Sequence, residues 1–316
     1  MTGDSPRQAE YDHQPVMVPE VLDALAPAAG EVCLDVTVGL GGHAAALMPL
    51  MPGGVYVGLD RDREALAQAR TRLTELTSEC RLELVNAPFA DARIALRSLR
   101  VGQANMVLGD FGVSSMQLDH GDRGFSWRKD APLDLRMDTA RGEPAWKVLA
   151  HADVDELAEV LRRFGEVRNA RRIARAILEH PPRTTRELAE IAGHFAPPAA
   201  RNRHLARIFQ ALRIWVNDEL AQIERLLGDV PAIVAPGARV AFLSYHSLED
   251  RLVKRAMQSW EGRCTCPPEQ PVCRCGAAPL GTRLNRRPLR PSDGEVSVNP
   301  RARSAKLRAF RFLEAA

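Results

Sequence analysis

Three apolar runs in the first third of the chain each end on an aspartate. Val32-Cys33-Leu34 leads to Asp35, Val55 to Leu59 leads to Asp60, and Ala104 to Gly109 leads to Asp110. Between them lie stretches with helical spacing, clearest in Ala65, Leu66, Ala69, Leu73 and Leu76, while Leu82 to Val85 adds a strand and Asp91 to Leu99 a helix. Strands alternating with helices predict a parallel sheet with right-handed crossovers. Ligands of such sheets bind beyond the carboxyl ends of the strands. The three aspartates fall at that edge, either as ligand-facing acids or as caps of the helices that follow.

The first acid opens Asp35-Val-Thr-Val-Gly39-Leu-Gly41-Gly42-His43, which is followed by the helix-forming run Ala44 to Met48. Glycines between a strand and a helix let the backbone approach a ligand, with the N–H groups of the helix start turned towards it. Gly39-x-Gly41-x-x-Ala44 satisfies the dinucleotide fingerprint as spelled. A turn of this kind also serves S-adenosylmethionine, so the glycines leave both cofactors open.

The remainder of the chain narrows the choice. Residues 118–204 lose the strand–helix alternation and read as a helical insertion, with a capping box at Thr184 and Glu187. A long amphipathic helix from Leu205 to Gly228 and a fifth strand, Arg239 to Tyr245, resume the first domain, and short strands, Arg283 to Leu289 and Ala305 to Phe312, close it. The organisation expected is therefore a sheet-bearing domain of residues 1–117 and 205–316 around a helical insertion of 118–204. A dehydrogenase needs a second half-sheet or a catalytic domain, and neither is legible. A methyltransferase closes one sheet with an antiparallel hairpin, which tilts the reading to S-adenosylmethionine.

Charge and cysteines add detail. Net charge is +3, yet residues 261–316 alone carry eleven Lys or Arg against five Asp or Glu, suggesting a face for a polyanion or a solvated basic tail. Cys264, Cys266, Cys273 and Cys275 form two tight C-x-C pairs, a metal clip or free thiols, and no metal is assigned to the site. The polar start and the absence of a long apolar run predict a cytoplasmic protein without a membrane partner. Oligomeric state leaves no sequence signal.

Nine ordered segments carry a family resemblance: His13 to Met17, the Asp35 to His43 turn, Asp110 to Ser115, Arg123 to Ser126, Pro132 to Asp138, Arg172 to Ile177, Phe209 to Ile214, His246 to Arg251 and Asn299 to Ser304. Together they resemble the bacterial 16S rRNA cytosine-N4 methyltransferases, the family called RsmH or MraW, over about His13 to Arg308. The resemblance implies an α/β, Rossmann-like sheet with an inserted all-helical domain. It also implies S-adenosylmethionine as cofactor and small-subunit rRNA, free or in the 30S subunit, as the partner methylated at a cytidine of the decoding centre. Carried over by motif, the cofactor site comprises Gly39, Gly41, Gly42, His43, Asp60, Phe89, Asp110 and Gln117.

Chemistry asks for several of these types independently. Asp60 suits two ribose hydroxyls, and Phe89 suits an adenine face or the core. His43 suits the methionine part or simply starts a helix, whereas Gln117 is singled out by the resemblance alone. Asp110, with the loop Phe111 to Ser114, is the expected catalytic group, an acceptor that orients a weakly nucleophilic amine. For RNA contact the candidates are Phe125 and Trp127 as stacking surfaces, Arg168, Arg171, Arg172 and Arg175 as a basic helix face, and His246; Ser247 with Asp250 spells a capping box. Departures from the family pattern are Gly109 and Phe111 in place of two leucines, Val167 in place of an acid, and Arg203-His-Leu-Ala-Arg207.

Overall fold

The computed structural model describes residues 14–76, 78–112, 121–262 and 278–315. Gln117, the 113–115 part of the Asp110 loop and the four late cysteines lie outside them. The chain divides into two compact units, Met1–Gly112 with Ile223–Ala316, and Val113–Gln222.

The first unit holds a sheet of β1 (Val32–Asp35), β2 (Val55–Asp60), β3 (Arg81–Asn86), β4 (Ala104–Asp110), β5 (Val234–Ser244), β6 (Gly281–Arg283) and β7 (Lys306–Phe312). Their order is β3-β2-β1-β4-β5-β7-β6, with β7 antiparallel to both neighbours. The strands are apolar on both faces because helices cover both. Cys33, Tyr56 and Met106 pack on one side with Met17, Leu25, Leu47 and Leu73. Chain order reverses between β1 and β4, so the switch point falls where Asp35 and Asp110 emerge.

Helices of this unit include α1 (Val18–Leu25), α2 (Gly42–Leu47), α3 (Arg63–Thr74) and α4 (Ala92–Ser98). Asp62 starts α3 by accepting from the Glu64 and Ala65 amides, the side-chain cap that satisfies otherwise orphaned donors. The expected strand Arg283 to Leu289 is strand only to Arg283. Its continuation carries Pro288 and touches β7 in two places, Leu284 N donating to Ala309 O and Leu289 exchanging bonds with Leu307.

The second unit is helical: α5 (Ala145–His151), α6 (Val154–Gly165), α7 (Ala170–Glu179), α8 (Thr185–Gly193) and α9 (Arg201–Asn217). Thr184 and Glu187 form the expected capping box. The boundary lies later than spacing suggested: Leu205, Ile208, Phe209 and Leu212 of α9 join Leu157, Leu161, Ile173 and Ile177 in one core. The helix expected from Leu205 to Gly228 also breaks, at Asp218 (φ 50°), before α10 (Glu219–Ile233). Asn217 fastens the break, its side-chain amide donating to Leu135 O and Arg213 O while its oxygen accepts from Met137 N. The apolar pattern runs in phase through the break, so periodicity alone could not reveal it.

Replacing Asn217 by Leu leaves the buried Met137 N–H and Leu135 carbonyl without partners. The variant is expected to be less stable by about 3 kcal/mol, read as a lower urea midpoint; an unchanged midpoint would refute this role for Asn217.

Candidate active site

The glycine turn carries Gly39 at φ 52° and Gly41 at φ 77°, left-handed conformations that glycine adopts without strain. A side chain at Gly41 would meet Leu73 of α3 at 3.0 Å, and one at Gly42 would meet Pro15 at 2.9 Å, so these two glycines serve packing. At Gly39 the nearest atom to such a side chain is Thr37 O at 3.8 Å, leaving that position open to a ligand.

Strand-end acids clamp the turn. Gly39 N donates to Asp60 Oδ2 at 2.9 Å and Asp62 N to Asp60 Oδ1 at 2.8 Å. Each oxygen keeps capacity for a further donor, the number needed to accept two ribose hydroxyls. On the other side, Asp110 N donates to Thr37 Oγ1 at 2.6 Å. Asp35 is 2% exposed and accepts from Tyr56 Oη at 2.7 Å and Thr37 N at 2.9 Å, so it supports the turn from below.

His43, in the first turn of α2, is buried, with Nε2 2.9 Å from Val16 O and Nδ1 3.9 Å from Asp110 Oδ2. Phe89 follows β3, half-buried, tilted against Phe111 at 5.7 Å and overlaid by the Arg61 guanidinium at 5.7 Å. Burial pushes Asp60 up to about 6 against the two backbone donors that oppose it. Burial likewise raises Asp35 and Asp110, with His43 and the Tyr245 hydroxyl pulling Asp110 back in part.

Tyr245 is the residue that sequence reasoning missed. It sits one position past β5, donates Oη to Asp110 Oδ1 at 2.8 Å, and is fixed by its own N–H on Glu249 Oε2 at 2.9 Å. Its ring lies against Gly112, where a side chain would approach within 3.2 Å. The available signal is an ionisable aromatic at the same sheet edge as Asp110, next to the expected RNA contact His246. That histidine is the N-cap of α11 (Ser247–Trp260), in a box with Glu249, one residue earlier than the Ser247–Asp250 spelling suggested.

Phe111 is not a loop residue facing a substrate. It is 1% exposed and stacked on Phe242 at 5.6 Å, and a side chain at Gly109 would strike both rings, at 2.9 Å and 3.2 Å, so the two departures compensate one another. Val167 and Leu205 are likewise core residues of the second unit. These departures thus change packing.

In the second unit Phe125 is buried and unavailable for stacking, while Trp127 rests on Phe209 and lines a cavity of ≈ 270 Å³ with Arg128, Arg186 and Arg201. Of the basic helix face, Arg171 pairs with Asp155 at 2.8 Å and Arg172 lies over Phe195. Arg168 lines a second cavity, ≈ 490 Å³, with Asn169, Phe195, Arg203, His204 and Arg207. Among the described residues no cluster of potential metal ligands occurs and no helix is long and apolar enough to cross a membrane.

A seven-stranded sheet with antiparallel β7, a glycine turn at the switch point and acids on β1, β2 and β4 define a Rossmann-like methyltransferase. The family model described as "MraW methylase family" matches residues 10–313. A ribosomal RNA small subunit methyltransferase H from Syntrophotalea carbinolica is 45% identical over 96% of this chain and 98% of its own. Another of that name, from Symbiobacterium thermophilum, is 44% identical over 96% and 98%. A solved rRNA methylase from Streptococcus thermophilus is similar at a TM-score of 0.43 with 10% identity, over 94% of each chain. On the sequence matches, the chain belongs to the MraW methylase family and is an S-adenosylmethionine-dependent methyltransferase.

Two variants probe the acids. A raised folded value makes the Asp60 carboxylate a liability above pH 6, because the folded state binds its proton more tightly than the unfolded chain, whose value is near 3.8. From this group the cofactor-free protein should therefore lose up to about 3 kcal/mol of stability as pH rises from about 3 to 8, read as a falling urea midpoint. The loss should be absent below about pH 3, where both states are protonated. Asp60→Asn turns an amide NH2 towards one of the two backbone donors and should bind S-adenosylmethionine at least tenfold more weakly by calorimetry; tight binding would remove Asp60 from the site. Wild-type binding should itself weaken as pH falls through about 6. Tyr245→Phe removes a donor that favours ionised Asp110, so the acid limb of the rate profile should move to higher pH. An unmoved limb would make Tyr245 packing only.

Proposed function

We propose that this chain methylates the exocyclic N4 of a cytidine in the decoding region of small-subunit rRNA. The reading is carried by relatives at 45% and 44% identity over nearly the whole chain, named for action on ribosomal RNA of the small subunit. The acids at the switch point suit that chemistry.

In this proposal Gly39, Gly41, Gly42 and His43 shape the wall of the cofactor site, and Asp60 accepts the ribose hydroxyls. Phe89 borders the adenine, Asp110 closes the methionine side, and Gln117 completes the set. Bound there, S-adenosylmethionine would supply an electrophilic methyl group on a sulfonium, with the neutral thioether as the leaving group. The residues then have three tasks. The first is alignment of amine and methyl, worth about 7–11 kcal/mol at best. The second is exclusion of water at an edge walled by Phe89 and Tyr245, with Phe111 buried against Phe89.

The third concerns the proton. The cytosine nitrogen forms its new bond to carbon as the carbon–sulfur bond breaks, and it must then lose one proton. Asp110 offers Oδ2 for the amine N–H while Tyr245 holds Oδ1, which fixes the direction of the acceptor. Burial raises the Asp110 carboxyl towards neutral pH and so makes it a better proton acceptor than an ordinary carboxylate. Because a stacked base cannot reach this edge, the nucleotide must leave its stack. The helical unit, residues 113–222, grips the RNA through arginine-lined cavities that include Trp127 and Phe195.

The test is transfer of label from methyl-labelled S-adenosylmethionine to small-subunit rRNA and to 30S subunits, followed by digestion to nucleosides. Label in N4-methylcytidine is the expected result. Label in another nucleoside would point to a different RNA amine or carbon, and binding without transfer to an RNA-binding protein that has lost catalysis.

A further inference from the structure

The surplus positive charge of the last sixty residues is unevenly used. On β6 and β7 the cations are spent internally: Arg283 on Glu261 at 2.7 Å, Lys306 and Arg308 on Asp250 at 3.5 Å and 2.7 Å, and Arg311 on Glu314 at 3.0 Å. Between those strands the arginines point outward. Arg287, Arg290, Arg301 and Arg303 are exposed, and Arg287, Arg290 and Arg303 make no ion pair with any described residue. The acids among residues 284–304 are Asp293 and Glu295, and Glu295 accepts the Met17 amide at 2.7 Å.

This segment is held in place by hydrogen bonds. Asn285 donates to Leu307 O at 2.8 Å and to Arg287 O at 3.0 Å, and accepts from Ala309 N at 2.8 Å. Leu289 and Leu307 exchange backbone bonds at 2.9 Å and 3.0 Å. Further on, Asn299 donates to Gln14 O at 3.2 Å, and Ala302 and Ala305, both fully buried, anchor the turn that carries Arg301 and Arg303. Rotamer entropy aside, these guanidinium groups are displayed from a fixed backbone.

Register places them beside the chemistry. Asp110 pairs with Leu243, Leu243 with Leu307, and Leu307 with Leu289, so one row across the sheet leads from Asp110 to the residue before Arg290. Three strand spacings make that roughly 14 Å. Arg301 and Arg303 immediately precede β7 at the same edge. Leu284, Leu289 and Val298 are exposed apolar groups on the same segment, a mixture suited to ribose and phosphate together.

We infer that Arg287, Arg290, Arg301 and Arg303 form a docking face for the phosphodiester backbone of the RNA, engaging nucleotides that flank the base held at Asp110. The inference rests on the RNA reading above and adds a contact surface on the sheet-bearing unit itself. Arginine on a rigid backbone suits phosphate through its planar fork of donors, and contacts of this kind position RNA without reading its sequence.

The experiment compares the full-length wild type with a quadruple Arg→Gln variant and a quadruple Arg→Lys variant at these positions, measuring affinity for an rRNA fragment against salt. Each lost phosphate contact lowers the slope of log K against log salt by about 0.7 for single-stranded RNA. The Gln variant should lose about two to three in slope. Its KM for RNA should rise at least tenfold at moderate salt, with kcat at saturation and calorimetric S-adenosylmethionine binding unchanged; the Lys variant should keep most of the slope. A Gln variant with wild-type slope and KM overturns the inference, as does one that keeps RNA affinity and loses binding to a ribosomal protein. Because wild-type methyl transfer is scored separately, rRNA that binds with the expected slope but gains no methyl group would defeat the functional reading and leave the docking face standing.

Discussion

Gly39 N–H rests on Asp60, and Thr37 Oγ1 receives the Asp110 amide, so the turn after β1 is tied to the ends of β2 and β4 on either side. Beneath it Asp35 binds Thr37 and the buried Tyr56 hydroxyl. These bonds hold three carboxyl groups at one edge through neutral donors, chiefly backbone amides and tyrosine hydroxyls. Neutral donors satisfy the oxygens without neutralising them. The result is an edge whose acids sit above the ordinary carboxylate range because burial opposes their charge.

That arrangement sacrifices stability for readiness. A well-placed arginine would stabilise Asp60, yet it would occupy the lone pairs that ribose hydroxyls need. The sheet tolerates the burden because its apolar faces are sealed by helices on both sides, with Tyr56, Leu34 and Met106 fully buried. Tyr245 belongs to the same logic: it orients Asp110 with a hydroxyl whose own ionisation is suppressed by burial, so it stays a donor across the working pH range.

Much of this was legible in the chain. The strand ends at Asp35, Asp60 and Asp110 and the turn between them follow from apolar runs and glycines, because buried parallel strands and left-handed turns demand those residue types. Asn217, Asp218 and Tyr245 were not legible. The first two interrupt a helix whose apolar phase continues, and their effect depends on Leu135 and Met137, about eighty residues away. Tyr245 acquires meaning only once β5 lies beside β4. The departures at Gly109 and Phe111 misled in the opposite direction, since a vacancy at one position and a ring at the other are a single packing change.

Carbon-13 NMR of labelled aspartate carboxyls tests the central claim most directly, by titrating Asp60 with and without S-adenosylmethionine. The account predicts a midpoint near 6 in the free protein and a marked fall on binding, as two hydroxyl donors favour the carboxylate. A midpoint near the ordinary 3.8 that ignores the cofactor would contradict it.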